Sequence, residues 1–299
     1  MATGTLFLCP TPLGNLGDMT PRALDALRGA DTVLAEDTRV TGKLLAAFDI
    51  KAHLERMDEQ MLSRKVDQIV DRLVAGETMA FCSDAGMPGV SDPGSRLVAA
   101  ARSAGVSVCV LPGATATATA YVASGFSCPR FYFGGFFPRK ATAATHLLES
   151  VASLDAVLLF YESPHRLVAA LKRIASVYPH RRVAVCRELT KIHEEVQVGY
   201  SGEIADLFAH RAKKEPIKGE IVIVIDAPSA DEAADRCKDA ASNAAARAVE
   251  LVMNERHSCK DAATALQHEF GLSRNAAYEI AQQARSSGNF PKITSDDHE

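Results

Sequence analysis

Short apolar runs alternate with amphipathic stretches along most of this chain, and turns rich in glycine, proline and small polar residues separate them. Thr5–Cys9, Thr32–Ala35, Thr78–Cys82 and Ser107–Leu111 read as strands, near-continuously apolar as suits strands covered on both faces. Between them the pattern predicts helices over Pro21–Arg28, Thr41–Phe48, Ser63–Val74 and Arg96–Ala104. The first is opened by a Thr20 cap and a proline at its first position. Repeated strand, loop and helix units predict an α/β architecture with a mostly parallel sheet and helices on both faces.

From Phe126 the pattern restarts. Phe131, Tyr132, Phe133, Phe136 and Phe137 read as the core of a second α/β domain. Helices near Ala143–Leu154, Leu167–Val177 and Ile204–His210 then alternate with strands Ala156–Phe160, Arg182–Cys186 and Ile221–Ile225, with an alternating Val196/Val198 run between. Residues 228–240, rich in Ala, Asp and Glu, read as a linker. Beyond it, Ala245, Ala248, Val249 and Val252 recur with helical spacing, as do Ala277, Ile280, Ala281 and Ala284. Ala262, Leu266 and Phe270 share a face of a helix between these, Gly271 closes it and Ser273 caps the next, which makes a helix-turn-helix-like unit. The expected division is 1–125 and 126–227 for the two α/β domains, a linker over 228–240, a helical module over 241–287 and a tail over 288–299.

One stretch departs from ordinary connecting loops. Ser83–Gly94 packs three glycines, two prolines, two serines and two aspartates into twelve residues, after an apolar run and before a helix. Strand-to-helix connections need about 2–6 residues, so this loop exceeds what the topology requires. Glycine permits close backbone approach and proline stiffens the chain. Such a loop presents N–H groups and carboxylates beyond the carboxyl end of a strand, where open α/β sheets bind ligands. Pro10–Asn15 and Pro112–Thr117 are small, polar loops at the same kind of strand end.

Composition narrows the chemistry. The net charge of −4 gives no global attraction to nucleic acid or membrane, so any nucleic-acid site is a local patch. There is no tryptophan to build base-stacking platforms. The seven cysteines are scattered, without a C-x-x-C pair, a zinc pattern or a disulfide framework, and no metal-ligand cluster is evident. With no signal peptide and no apolar run of membrane-spanning length, the expectation is a reduced, cytoplasmic protein without membrane partners. The first loop has Gly14 and Gly17 but not the dinucleotide spacing, and no Walker loop occurs, which argues against NAD enzymes and P-loop NTPases. Two readings stay open for Glu36-Asp37-Thr38-Arg39: an acidic helix cap, or a functional junction that explains Arg39. Arg139-Lys140 is read as a solvated turn rather than a phosphate contact.

Seven stretches occur in an order that resembles a known family. They are Pro10–Leu16, Glu36–Arg39, Ser83–Gly94, Leu111-Pro112-Gly113, Tyr161–Arg166, Arg187–Lys191 and Lys218-Gly219-Glu220. Together they resemble the tetrapyrrole methylase superfamily, the class III S-adenosylmethionine methyltransferases. Within it they resemble most the ribosomal RNA small subunit methyltransferase I family, over roughly residues 5–287. The terminal helices also look like that family's helix-turn-helix module. The resemblance implies two α/β domains with a cofactor cleft between them, a homodimer, and methylation of a cytidine ribose 2′-hydroxyl in small-subunit (16S) ribosomal RNA or the assembled subunit. It implies cofactor contacts from Leu13, Asp84, Val90, Ser91, Thr115, Ala116, Tyr161, Leu189 and Glu220.

A ribose hydroxyl must lose its proton as it attacks, so a base or a charge-stabilising cation is expected. Glu36, Asp37, Glu162, Glu188 and Lys191 are the candidates, and the sequence does not choose among them. Arg39, His165 and Arg166 suit phosphate contacts, with a helix-capping role open for His165. The alternatives are methylation of a tetrapyrrole or other small molecule, and a non-catalytic RNA-binding assembly factor.

Overall fold

The computed structural model describes residues 3–92, 94–254, 257–270 and 272–287. They form two compact units, divided after Ala227. Among the described residues no helix is long and apolar enough to cross a membrane. The tail over 288–299 and the expected helix stop at Gly271 lie outside the described residues.

The first unit begins with β1 (Thr5–Leu8), α1 (Pro21–Gly29), β2 (Thr32–Ala35), α2 (Thr38–Ala47), β3 (Leu54–Arg56), α3 (Glu59–Val74), β4 (Met79–Cys82), α4 (Gly94–Ser103), β5 (Ser107–Val110) and α5 (Ala116–Ser124). The five strands are all parallel, in the order β3-β2-β4-β1-β5. Successive side chains of the central strands face opposite sides. Met79 and Phe81 of β4 join Leu62, Ile69 and Leu73 of α3 and Leu97 of α4 in one core layer. Ala80 and Cys82 face the other way, with Ala23 and Leu27 of α1 and Leu45 of α2. The short β3 is too brief to show a period in the sequence. It also moves the start of α3 forward to Glu59, where Asp58 caps it by accepting the Met61 N–H.

The second sheet holds β6 (Phe131–Phe136), β7 (Val157–Glu162), β8 (Arg182–Arg187), β9 (Glu195–Tyr200) and β10 (Ile221–Ile225), with α6 (Ala141–Val151), α7 (Leu167–Val177) and α8 (Ser201–Lys214) between them. Its order is β6-β7-β10-β8-β9, and only β6–β7 is parallel. The mostly parallel sheet expected of the first repeated units is found there, whereas in the second sheet the last strand, β10, inserts antiparallel between β7 and β8. Leu158, Phe160, Val183, Val185, Ile221 and Ile223 face α6, α7 and α8. The opposite face, with Val157, Leu159, Ala184, Cys186, Val222 and Val224, is covered by Ala120 of α5 and by Phe126. Helix α5, which follows the last strand of the first sheet, thus packs on the second sheet.

The aromatic cluster is only partly core. Phe137 and Phe126 are buried, but Phe136 is 62% and Phe131 46% exposed. At Phe136 the cause is an irregularity between Phe133 and Phe136 in the register with β7. There Gly135 adopts φ +70°, and a Cβ on Gly134 would lie 2.2 Å from Phe160 Cε1. Two glycines make the bulge sterically possible and turn Phe136 out of the core.

The second unit contains α9 (Ala230–Val249), a turn of π-helix over Glu250–Asn254, α10 (Cys259–Phe270) and α11 (Arg274–Ser287). Most of the expected linker, 228–240, is therefore helix. Ser229 caps α9 by accepting the Glu232 N–H, Asp231 and Glu232 sit in its first turn, and alanine is the best helix former. Ala244, Ala248, Ala262, Leu266, Ala277 and Ala281 pack the three helices together. Ser258 and Ser273 cap α10 and α11 by accepting the Asp261 and Ala276 N–H groups.

Candidate functional site

Two long loops of the first sheet are joined into one wall. Thr11 N–H donates to Gly86 O, Gly86 N–H donates to Thr11 O, both at 3.0 Å, and Thr11 Oγ1 donates to Ser83 O at 3.2 Å. Asp92 Oδ1 accepts the N–H groups of Gly89 (2.7 Å) and Gly94 (2.8 Å), which closes the Ser83–Gly94 loop on itself. Ser91 within it holds φ +69°.

The second sheet contributes the residues leaving β7, the residues leaving β8 and the start of β10. Between β8 and β9, Glu188 (φ +53°) and Thr190 (φ +65°) are both left-handed, a conformation that costs about 1–2 kcal/mol for a residue with a Cβ. Lys191 binds this segment together, with Nζ 2.8 Å from Glu188 Oε1 and 2.9 Å from Glu220 Oε2. Its aliphatic stem lies where a side chain at residue 14 would be: a Cβ on Gly14 would come within 2.2 Å of Lys191 Cγ. Gly14 is the residue that lets this loop close over the first sheet's wall.

A cavity of about 340 Å³ opens between these loops. Leu13, Val90, Thr115, Ala116, Tyr161, Leu189 and Glu220, all expected as cofactor contacts, line it. Phe136, Met87, Cys186 and Val222 line it too and were not foreseen. The bulge at Gly134-Gly135 was the available signal for Phe136. Burial pushes the Cys186 thiol up to about 12 and raises the Tyr161 phenol, so both stay neutral in the cavity wall.

Asp84 and Ser91 do not line this cavity. Asp84 lines a second one of about 450 Å³, on the other side of the Thr11–Gly86 bridge. The bridge is the reason: Ala85 and Gly86 face the first cavity, while Ser83 and Asp84 face the second.

The candidate acids and bases separate by their partners. Asp37 caps α2, accepting the Arg39 N–H at 2.8 Å and the Arg39 guanidinium at 2.6 Å, which holds its carboxyl well below the usual range. Arg39, its side chain 86% exposed, is paired with that capping carboxylate. Glu162, with a side chain only 1% exposed, pairs with Arg166 Nη2 at 2.5 Å and accepts the Ser163 N–H at 2.6 Å. Burial raises its pKa despite that cation. Arg166 also donates to Phe137 O. His165 is exposed at the start of α7, where the cap position makes no side-chain capping bond. Glu188 accepts from Lys191 and from the Glu220 N–H at 2.9 Å, and its pKa is lowered by those bonds despite its burial.

Glu36 differs from these. It is half-buried where β2 ends, and the one hydrogen bond of its side chain among the described residues is from the Asp84 N–H at 3.5 Å. Burial, then the Asp84 carboxylate, raises its pKa. Burial likewise raises Asp84, with contributions from Asp37 and Glu220. Asp84, in the wall of the second cavity, and its neighbour Glu36 are therefore carboxylates that repel one another, a setting that favours a cationic ligand.

The chain matches the family model for Tetrapyrrole (Corrin/Porphyrin) Methylases over residues 5–205. A solved diphthine synthase superposes with a TM-score of 0.59 at 16% identity, covering 76% of this chain and 91% of that one, which shows the shared fold. Fold and cavity thus place the chain among the tetrapyrrole methylases, S-adenosylmethionine-dependent methyltransferases. A ribosomal RNA small subunit methyltransferase I from Halalkalibacterium halodurans is 43% identical over 223 residues, 75% of this chain and 76% of that protein. One from Micromonospora olivasterospora is 38% identical over 283 residues, 94% of this chain and 88% of that protein. The chain belongs to the ribosomal RNA small subunit methyltransferase I family.

Proposed function

We propose that this protein methylates the 2′-hydroxyl of a cytidine ribose in small-subunit ribosomal RNA, with S-adenosylmethionine as methyl donor. The observation that carries the reading is the convergence of seven expected cofactor positions on one cavity beside the Glu36–Asp84 carboxylates.

The cavity's chemistry fits the cofactor. Leu13, Val90, Ala116 and Leu189 offer apolar surface to an adenine, and Glu220 with the nearby Asp84 offers negative charge to a cation. Thr190 Oγ1, next to Leu189, is buried without a hydrogen-bond partner among the described residues. Bound there, S-adenosylmethionine supplies an electrophilic methyl group. The chain's own part is chiefly alignment, worth about 7–11 kcal/mol in well-oriented reactions. Glu36 is the base we assign: it takes the proton that the ribose hydroxyl loses. Its supports are the raised pKa, which brings a carboxylate nearer the working range of a base, and the lack of a cationic partner among the described residues. Lys191 and Glu188 position the loop that carries Leu189.

Incubating small-subunit RNA and assembled subunits with methyl-labelled cofactor tests the function. Label entering the RNA supports it, and label entering neither substrate rejects it. A homodimer and a cytoplasmic setting belong to the same proposal. Exposed apolar side chains such as Val122 (75%) support the first. Light scattering of the purified protein checks the dimer.

A further inference from the structure

The second cavity lies against the first across a common wall. Leu13 and Gly14 are consecutive yet line different cavities, and so do Ala85 and Asp84. Two reactants that must meet for methyl transfer need neighbouring seats, and this wall separates two. The second cavity is about 450 Å³, within the range of small-molecule sites. Leu16, Val40 and Leu44 give it apolar sides.

Its polar groups are few and specific. Thr41 lines it, is 1% exposed, and its Oγ1 is buried with no hydrogen-bond partner among the described residues. A buried hydroxyl left without a partner is costly and calls for an explanation. Asp84 lines the same cavity, and among the described residues only its Oδ1 is engaged, by the Asp37 N–H at 3.0 Å. Lys43 also lines it, with no ion pair among the described residues, whereas Arg39, Arg166 and Lys191 are all paired.

We infer that this cavity seats the base of the target cytidine, with Thr41 and Asp84 reading its edge and Lys43 meeting a flanking phosphate. The inference rests on the methyltransferase reading above. Sequence-specific RNA recognition uses unstacked single-stranded bases read at their edges. Apolar walls suit the two faces of a pyrimidine ring. Asp84 only accepts hydrogen bonds, so it matches the amino group at cytosine N4 and opposes the carbonyl oxygen at the same place in uracil. The Thr41 hydroxyl can serve N3 or O2.

The test uses full-length protein, methyl-labelled S-adenosylmethionine, and small-subunit RNA with either cytidine or uridine at the position that the wild type labels. Wild type should prefer cytidine by roughly tenfold to a hundredfold. Asp84→Asn should abolish most of that preference, because an amide can turn its N–H₂ toward uracil. Thr41→Val should raise KM for RNA roughly threefold to tenfold, leave cofactor affinity unchanged, and raise the melting temperature of the free protein by removing an unpartnered hydroxyl. Lys43→Gln should reduce the salt dependence of RNA binding by about one unit of slope. An unchanged KM in Thr41→Val, or an intact cytidine preference in Asp84→Asn, with wild type active, overturns the base pocket alone. A wild type that labels no RNA overturns the methyltransferase reading and the pocket with it.

Discussion

Replacing Arg166 by methionine separates a structural cation from an RNA contact. Glu162 is almost fully buried and Arg166 Nη2 lies 2.5 Å from it, while the arginine side chain is 30% exposed. Removing one partner of a buried pair costs about 3–5 kcal/mol, because the other charge stays buried and unpaired. Glu162 keeps its bond from the Ser163 N–H, so we take the lower end, about 3 kcal/mol. For a unit of this size that is a fall in Tm of about 6–12 °C.

The pH dependence gives a second signature. Burial raises the folded-state pKa of Glu162 above its ordinary value even with Arg166 present. The folded protein therefore holds that proton more tightly than the unfolded chain does, and stability is lost as pH rises through the raised value. Without Arg166 the pKa rises further. The deficit of Arg166→Met is thus largest at neutral and alkaline pH and shrinks on acidification. Adding Glu162→Gln to Arg166→Met should recover most of the loss, since the buried charge is gone. Denaturant melts of the three variants across pH, with RNA affinity measured alongside, provide the assay. Wild-type stability in Arg166→Met together with weakened, salt-dependent RNA binding refutes the structural assignment.

Glu36→Gln should lower kcat/KM for RNA by about 10²–10⁴-fold, as loss of a general base does, while cofactor affinity holds. The same change should stabilise the free protein at neutral pH, because burial and Asp84 penalise the Glu36 charge. Gly14→Ala should expel the Lys191 stem and weaken cofactor binding by up to about tenfold through its two ion pairs. Calorimetric titration should find Gly14→Ala/Lys191→Ala no worse than Lys191→Ala, since both remove the same contact. A chain ending at Ala227 keeps the whole first unit and should bind cofactor like wild type but methylate small-subunit RNA more slowly. Equal rates would deny the helical unit a role with substrate.

The parts legible in the sequence are those set by local chemistry. Glycine and proline content marks Ser83–Gly94, the Thr20-Pro21 start marks α1, and continuous apolar runs mark β1, β2 and β4. What escaped depends on contacts distant in sequence. The side of the wall that Asp84 faces is decided by pairing between Thr11 and Gly86, with Thr11 bonded to Ser83 72 residues away. The antiparallel order of the second sheet is decided by where β10 inserts. The partners of Arg39 and Arg166, Asp37 and Glu162, lie two and four residues before them, and it is the fold that turns each acid onto its arginine. The 228–240 stretch has a linker's composition, but its alanines and its Ser229 cap make a helix.

The most direct test of the central claim is the identity of the methylated atom. Small-subunit RNA, free and in assembled subunits, is incubated with full-length protein and methyl-labelled S-adenosylmethionine, then partially hydrolysed in alkali. Cleavage needs a free 2′-hydroxyl, so a methylated ribose leaves a gap in the ladder. The account predicts label in the RNA, one new gap at a cytidine, and the loss of both in Glu36→Gln. Label without a gap, a gap at another nucleotide, or label only in an added tetrapyrrole would contradict it.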